Sequence, residues 1–163
     1  MKYIFSLLFV CSFFVSSGQM TVSEMIRVYK MDMDQFETYA LQRGFKFYEV
    51  IDKNRVHGFS YSKGYNKQTK YLTFYDTFFD DGIVLIYQTA EINEYLNFKN
   101  QMNNYGFILT ENSSFNSNDN DRSSQFKVYR NKYYEIQVYT IPEHYNSNGQ
   151  FQNVKYEISI SKL

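Results

Sequence analysis

Apolar positions recur along this chain in two periods, one helical and one alternating. Met33, Phe36, Ala40 and Leu41 fall on one face at helical spacing. Thr21 with Glu24, and Asp32 with Gln35, have the spacing of capping boxes, in which a side-chain oxygen and a residue three positions on satisfy each other's free amides. These signals predict helices over 22–30 and 33–43, the second ended by Gly44. Beyond Gly44 the period falls to two, and strands are expected near 45–52, 55–62, 69–78 and 83–89, with Asp81-Gly82 as a hairpin turn. A helix near 91–105, ended by Gly106, restarts the order. Strands follow near 107–113, 122–130, 132–141 and 151–162, and Asn116 to Asp121 and Glu143 to Gln150 form polar connections.

Alternation assigns faces. Leu72, Phe74 and Phe78 point one way, with Tyr71, Thr73, Tyr75 and Thr77 opposite. In the second set, Phe126, Val128, Tyr134, Ile136, Val138, Tyr156, Ile158 and Ile160 are expected to share the apolar face. Lys127, Tyr129, Tyr133, Glu135, Gln137, Tyr139, Lys155 and Glu157 then lie on the polar one. One apolar and one polar face imply an antiparallel sheet with helices on the apolar side, hence an α+β fold.

The second set reads as a repeat of the first. At an offset of 62, Phe36 matches Phe98, Gly44-Phe45 matches Gly106-Phe107, Glu49 matches Glu111, and Lys70-Tyr71 matches Lys132-Tyr133. Between these, Arg55 and Phe59 match Arg122 and Phe126 at offset 67. The expected architecture is two tandem units, 19–89 and 90–163, each a helical segment plus a four-stranded antiparallel sheet, packed as one body. A unit of about 70 residues buries only about 60% of its unfolded surface and is marginal alone. The connection Gln88-Thr89-Ala90-Glu91 is also too short for a flexible linker.

Residues 1–18 carry the pattern of a secretory signal peptide: Lys2, an apolar stretch from Tyr3 to Val15, and small residues Ser16-Ser17-Gly18. That stretch is short of the roughly 20 residues that span a bilayer, so no integral membrane span is expected after cleavage. Cys11, the single cysteine, follows bulky Val10 rather than the small residue a lipoprotein requires, and it belongs to the leader. The expected compartment is periplasmic or extracellular, reached by a mature protein without disulfides or thiolate chemistry. The balance of 17 basic and 17 acidic residues gives no basic surface for nucleic acid.

Chemistry-bearing patterns are sparse. His57 lies in a strand and His144 in a polar loop, with no ligand cluster beside either, and both read as structural or solvated. Asn116 to Asp121 alternates oxygen side chains but lacks the first Asp, the Gly and the terminal Glu of a calcium loop. Ser60 follows Gly58, but Ser62 stands where a nucleophile elbow needs Gly. No cofactor or metal is expected. Aromatic residues make up 20%, as 17 Tyr and 16 Phe. Of these, Tyr71, Tyr75, Tyr129, Tyr133 and Tyr139 are expected on the polar sheet face. Tyr supplies contact area and a hydroxyl at small entropic cost, which suits recognition of a protein or a glycan. The favoured reading is a non-catalytic interaction module. The alternative is a small hydrolase or glycan-active enzyme, which would need two carboxylates facing each other in a cleft.

The element order, helical segment then four antiparallel strands, twice, resembles that of the secreted β-lactamase inhibitor proteins. The resemblance covers almost the whole mature chain as order of elements and includes no shared residue motif. That family's two disulfides have no counterpart here, since Cys11 is the only cysteine. What the resemblance implies is protein binding.

Overall fold

The computed structural model describes residues 19–53, 56–65, 68–77, 82–116, 123–145, 151–152 and 154–163. Helices α1 (Val22–Tyr29) and α2 (Met33–Gln42) precede strands β1 (Lys46–Lys53), β2 (Val56–Lys63), β3 (Lys70–Thr77) and β4 (Gly82–Thr89). Helix α3 (Ile92–Met102) runs into a 3-10 turn over Asn103–Tyr105. The chain continues through β5 (Ile108–Asn116), β6 (Ser123–Arg130), β7 (Tyr134–Ile141), β8 (His144–Tyr145), β9 (Phe151–Gln152) and β10 (Lys155–Lys162).

The helix ends form where the side chains supply the missing partners. Thr21 Oγ1 accepts from the Glu24 amide at 3.1 Å. Asp32 and Gln35 close a full capping box, with Asp32 Oδ1 accepting from the Gln35 amide at 2.9 Å and Gln35 Oε1 from the Asp32 amide at 3.3 Å. Gly44 (φ 78°) and Gly106 (φ 71°) adopt the left-handed conformation that ends α2 and the 3-10 turn, a backbone state that costs other residues a Cβ clash. In α2 the buried stripe is Phe36, Tyr39 and Ala40, while Leu41 is exposed, contrary to the sequence expectation. Leu41 is one step of about 100° past Ala40, which carries it off the stripe.

Eight strands form one antiparallel sheet in the order β1-β2-β3-β4-β10-β7-β6-β5, and β8 pairs β9 in a separate ribbon. The order runs inward from β1 to β4, crosses a seam to β10, and runs outward to β5. At the seam Leu85 faces Ile160, Tyr87 faces Ile158 and Thr89 faces Tyr156. Both outermost strands carry a register shift, between Phe47 and Glu49 in β1 and between Leu109 and Glu111 in β5. Strand β7 begins at Tyr134, later than alternation suggested. Asn131 Oδ1 accepts from the Tyr133 and Tyr134 amides, both at 2.9 Å, and holds 131–133 as a turn.

Helices α1, α2 and α3 pack on one sheet face. Phe36 meets Tyr61 and Phe74 at ring distances of 5.6 and 5.0 Å, Tyr29 meets Tyr134 at 5.7 Å, and Tyr95 stacks on Tyr156 at 4.4 Å. Between them lie the fully buried Leu72, Leu85, Ile136, Ile158 and Ile160. Removing such a side chain costs about 2–5 kcal/mol through lost transfer energy and the cavity left behind.

Strand β6 is turned over relative to the sequence expectation. Tyr129 pairs with Ile136 and Lys127 with Val138, so Tyr129 is on the helix side, 7% exposed, within the core. Phe126 and Val128 pair with Tyr139 and Gln137 and lie on the open face. A shift of one residue in register moves every side chain of a strand to the other face. Buried Tyr61 of β2 and Tyr129 of β6 hold like places in their strands, so the spacing between β2 and β6 is one residue more than the offset drawn through Phe59 and Phe126.

Candidate functional site

Among the described residues no helix covers the sheet face away from α1, α2 and α3. One cross-strand row runs across it through all eight strands: Glu49, Ser60, Thr73, Ile86, Ser159, Gln137, Val128, Glu111. Ser60, Thr73 and Ser159 in it are short, and Ile86, Gln137 and Val128 are of middle size. Ser60 and Thr73 are 3% and 7% exposed and share a hydrogen bond at 3.0 Å. Larger residues stand beside the row. Tyr71 and Tyr75 precede and follow Thr73 on β3, and Tyr139 follows Gln137 on β7. The row is therefore a shallow floor between aromatic walls.

Each wall is fixed by packing. The Tyr71 ring meets Tyr48, the extra residue at the β1 register shift, edge-on at 5.3 Å. Tyr139 lies 4.6 Å from its cross-strand neighbour Phe126. Tyr75 sits opposite Gly58, where an added Cβ would fall 2.4 Å from the Phe74 carbonyl and 2.9 Å from Tyr75 Cδ1. Glycine is thus required there for the ring to lie over β2. Burial pushes the Tyr71 and Tyr75 hydroxyls up, and the Glu49 carboxylate adds to both, so they remain neutral donors.

Polar groups on the same face are held in pairs. Gln88 donates to Glu157 across the seam at 2.5 Å. Arg130 and Gln137 donate to Glu135, both at 2.6 Å. Burial works to raise the Glu135 carboxyl, but those hydrogen bonds and the guanidinium charge outweigh it and hold it below its ordinary value. A carboxylate so engaged is poorly placed to give or take a proton.

The five tyrosines singled out by sequence do not form one cluster. Tyr71, Tyr75 and Tyr139 are on the open face. Tyr129 is buried on the opposite side. Tyr133 sits in the β6–β7 turn, 58% exposed, with its carbonyl accepting from the Leu163 amide at 3.1 Å. Tyr71 and Tyr133 therefore do not present matching patches. Tyr48 and Phe126 join the face instead. Alternation could not place Tyr48, because the register shift in β1 falls on it.

His57 pairs in register with Asp52 and Asp76 and packs its ring against Phe59 at 5.3 Å. Among the described residues no group of three or more His, Cys, Asp or Glu side chains converges to hold a metal. Phe78, the Asp81 turn position and residues 117–121 of the oxygen-rich segment lie outside the described residues. Sequence reasoning also missed Glu94. This carboxylate is 2% exposed and accepts from Lys70 at 2.5 Å, Tyr87 at 2.7 Å and Thr89 at 2.9 Å.

No protein-family model, curated protein or solved structure matches the chain. Among the described residues no helix is long and apolar enough to cross a membrane.

Proposed function

We propose that the protein is an exported, non-catalytic interaction module that holds a protein partner against the open face of its sheet. The observation that carries this reading is the aromatic-walled floor, with Tyr48, Tyr71 and Tyr75 on one side of the seam and Tyr139 and Phe126 on the other. Packed aromatic rings with neutral hydroxyls are the usual anchors of protein interfaces. Partly buried Ile51, Val84, Ile86 and Ile141 share the face and give it an apolar content better matched to protein than to glycan. The engaged state of Glu135 and Glu157 argues against a hydrolase that works through them.

The proposed export rests on the leader pattern of residues 1–18. Just after that pattern, exposed Gln19 accepts from Asn97 at 2.8 Å and Met20 is 5% exposed. The proposed arrangement of two fused units is supported by the inward-then-outward strand order and by the matching left-handed glycines and edge-strand shifts. Buried Phe36 and Phe45 on one side, and Phe98 and Phe107 on the other, agree with it. A single ancestral unit, duplicated and fused, accounts for these features together, in the element order that resembles the secreted inhibitors.

Capture of partners from the native cell envelope tests the reading. Tyr71→Ser with Tyr139→Ser should weaken capture of the specific partner by about 1 kcal/mol or more per anchor. Tyr133→Ser, at the exposed turn, should leave it unchanged. Undiminished capture by a folded double variant would refute the open face as the docking surface, and capture of glycan alone would replace protein as the partner class.

A further inference from the structure

A cavity of about 210 Å³ lies on the helix side of the sheet, at the β2–β3 end and next to the docked Met20. Its apolar walls are Met20, Tyr39, Phe45 and Tyr65. Its charges, Arg43, Lys63, Lys70 and Glu91, come from the end of α2, β2, β3 and the start of α3, and are unequally satisfied.

Lys63 and Lys70 are direct cross-strand partners at the cavity. Like charges so placed repel, and each must be drawn elsewhere. Lys70 is drawn to Glu94 at 2.5 Å and Glu91 at 3.1 Å. Burial opposes its charge, but those two acids outweigh it and raise its pKa. Lys63 donates to the Arg43 carbonyl at 2.7 Å and lies 5.9 Å from the Phe45 ring centre. That carbonyl belongs to the end of α2, where a helix carries only about half a negative charge. Among the described residues Lys63 has no carboxylate partner, and an ammonium has three donors. Arg43, the other cation beside it, has its own partners, Glu24 and the Tyr39 hydroxyl at 3.3 Å.

The opposite imbalance lines the same cavity. Glu94 is buried and takes the shorter contact with Lys70, so Glu91, with its side chain 43% exposed, holds only a share of that cation. One cation and one anion thus face a common space with apolar walls, each incompletely neutralised. We propose that this cavity binds a small zwitterion, an α-amino acid with an apolar side chain, its carboxylate on Lys63 and its ammonium on Glu91. This site is separate from the open face, and neither proposal depends on the other.

The test uses the mature chain with L-phenylalanine, L-leucine and L-methionine as probes. 3-Phenylpropionate and phenethylamine, each lacking one charge, serve as comparisons. At least one amino acid should raise Tm in proportion to log concentration, as a ligand of the native state must. The singly charged analogues should bind about tenfold or more weakly, the loss of one charge-assisted contact. Lys63→Gln should abolish the Tm rise. Glu91→Gln, at a partly exposed position, should bring amino-acid affinity down to that of phenylpropionate and leave phenylpropionate itself unchanged. The Tyr71→Ser variant of the open face should respond as wild type does. No Tm rise with any of the three amino acids at millimolar concentration would overturn the proposal. So would equal binding of L-phenylalanine and phenylpropionate, or full retention of the response in either Lys63→Gln or Glu91→Gln.

Discussion

At position 94 a carboxylate is taken out of water and given three donors in exchange, from Lys70, Tyr87 and Thr89. Such a group is costly to disturb, because removing its charge leaves Lys70 with the half-exposed Glu91 alone and the buried donors unmatched. Glu94→Gln should lower stability by about 3–5 kcal/mol in urea denaturation, the usual cost of breaking a buried pair on one side. Pairing it with Lys70→Met should recover much of that loss. The core tyrosines carry a second signature. Burial pushes Tyr39 up to about 12 against the opposing pull of Arg27, and burial with the nearby Tyr129 and Tyr156 does the same for Tyr95. Their folded pKa lies above the ordinary 10.0. Their contribution is therefore complete below pH 10 and is lost as pH rises through about 12. Ultraviolet titration of phenolate should show these residues ionising together with loss of structure. A smooth titration complete near the ordinary tyrosine value, with the fold intact, would contradict their burial.

Among the elements, the strand β6 tests how far register can be read. The structure makes Tyr129 a core residue and Tyr133 a turn residue. Tyr129→Ala should cost about 3–5 kcal/mol, as large aromatic truncations in cores do. Tyr133→Ala should stay within about 0.5 kcal/mol, measured by thermal melts of both variants. Helices α1 and α2 were legible from sequence because their starts are written in side chains three residues apart, Thr21 with Glu24 and Asp32 with Gln35. Strand positions were legible from alternation for β3, β7 and β10. The face of β6 was not, because alternation points the wrong way: Phe126 and Val128 stand on the open face while Gln125 and Lys127 share the helix side with Tyr129, and only the pairing with β7 decides. The candidate site was half visible for the same reason. Tyr71, Tyr75 and Tyr139 follow from alternation, whereas Tyr48 depends on the β1 register shift. The Lys70–Glu94 pair and the cavity beside it join elements far apart in sequence and leave no local pattern.

Across the whole molecule, the two halves are locked by more than the β4–β10 seam. Helix α1 of the first half packs against β10 of the second, the Tyr29 hydroxyl accepts from the Lys162 amide at 3.1 Å, and the Val22 amide donates to Gln101 at 3.2 Å. Expressed separately, 19–89 and 90–163 should each lack the dispersed NMR spectrum of a folded domain, and a well-dispersed spectrum from either would show that the seam is dispensable. An open sheet of this width has two outer strands with unsatisfied amides and carbonyls, and both expose apolar side chains: Phe47 and Val50 on β1, Ile108 and Leu109 on β5. Left flat, such edges would recruit further chains into fibres. The extra residue in each, at Tyr48 and Thr110, bends the outer strand and breaks its bonding pattern at the end nearer the preceding helix. Among the described residues there is no cysteine to crosslink the sheet, and these two irregularities oppose further strand addition. A sheet of eight strands is thereby given two ends that resist edge-to-edge growth, the device by which open sheets avoid polymerising.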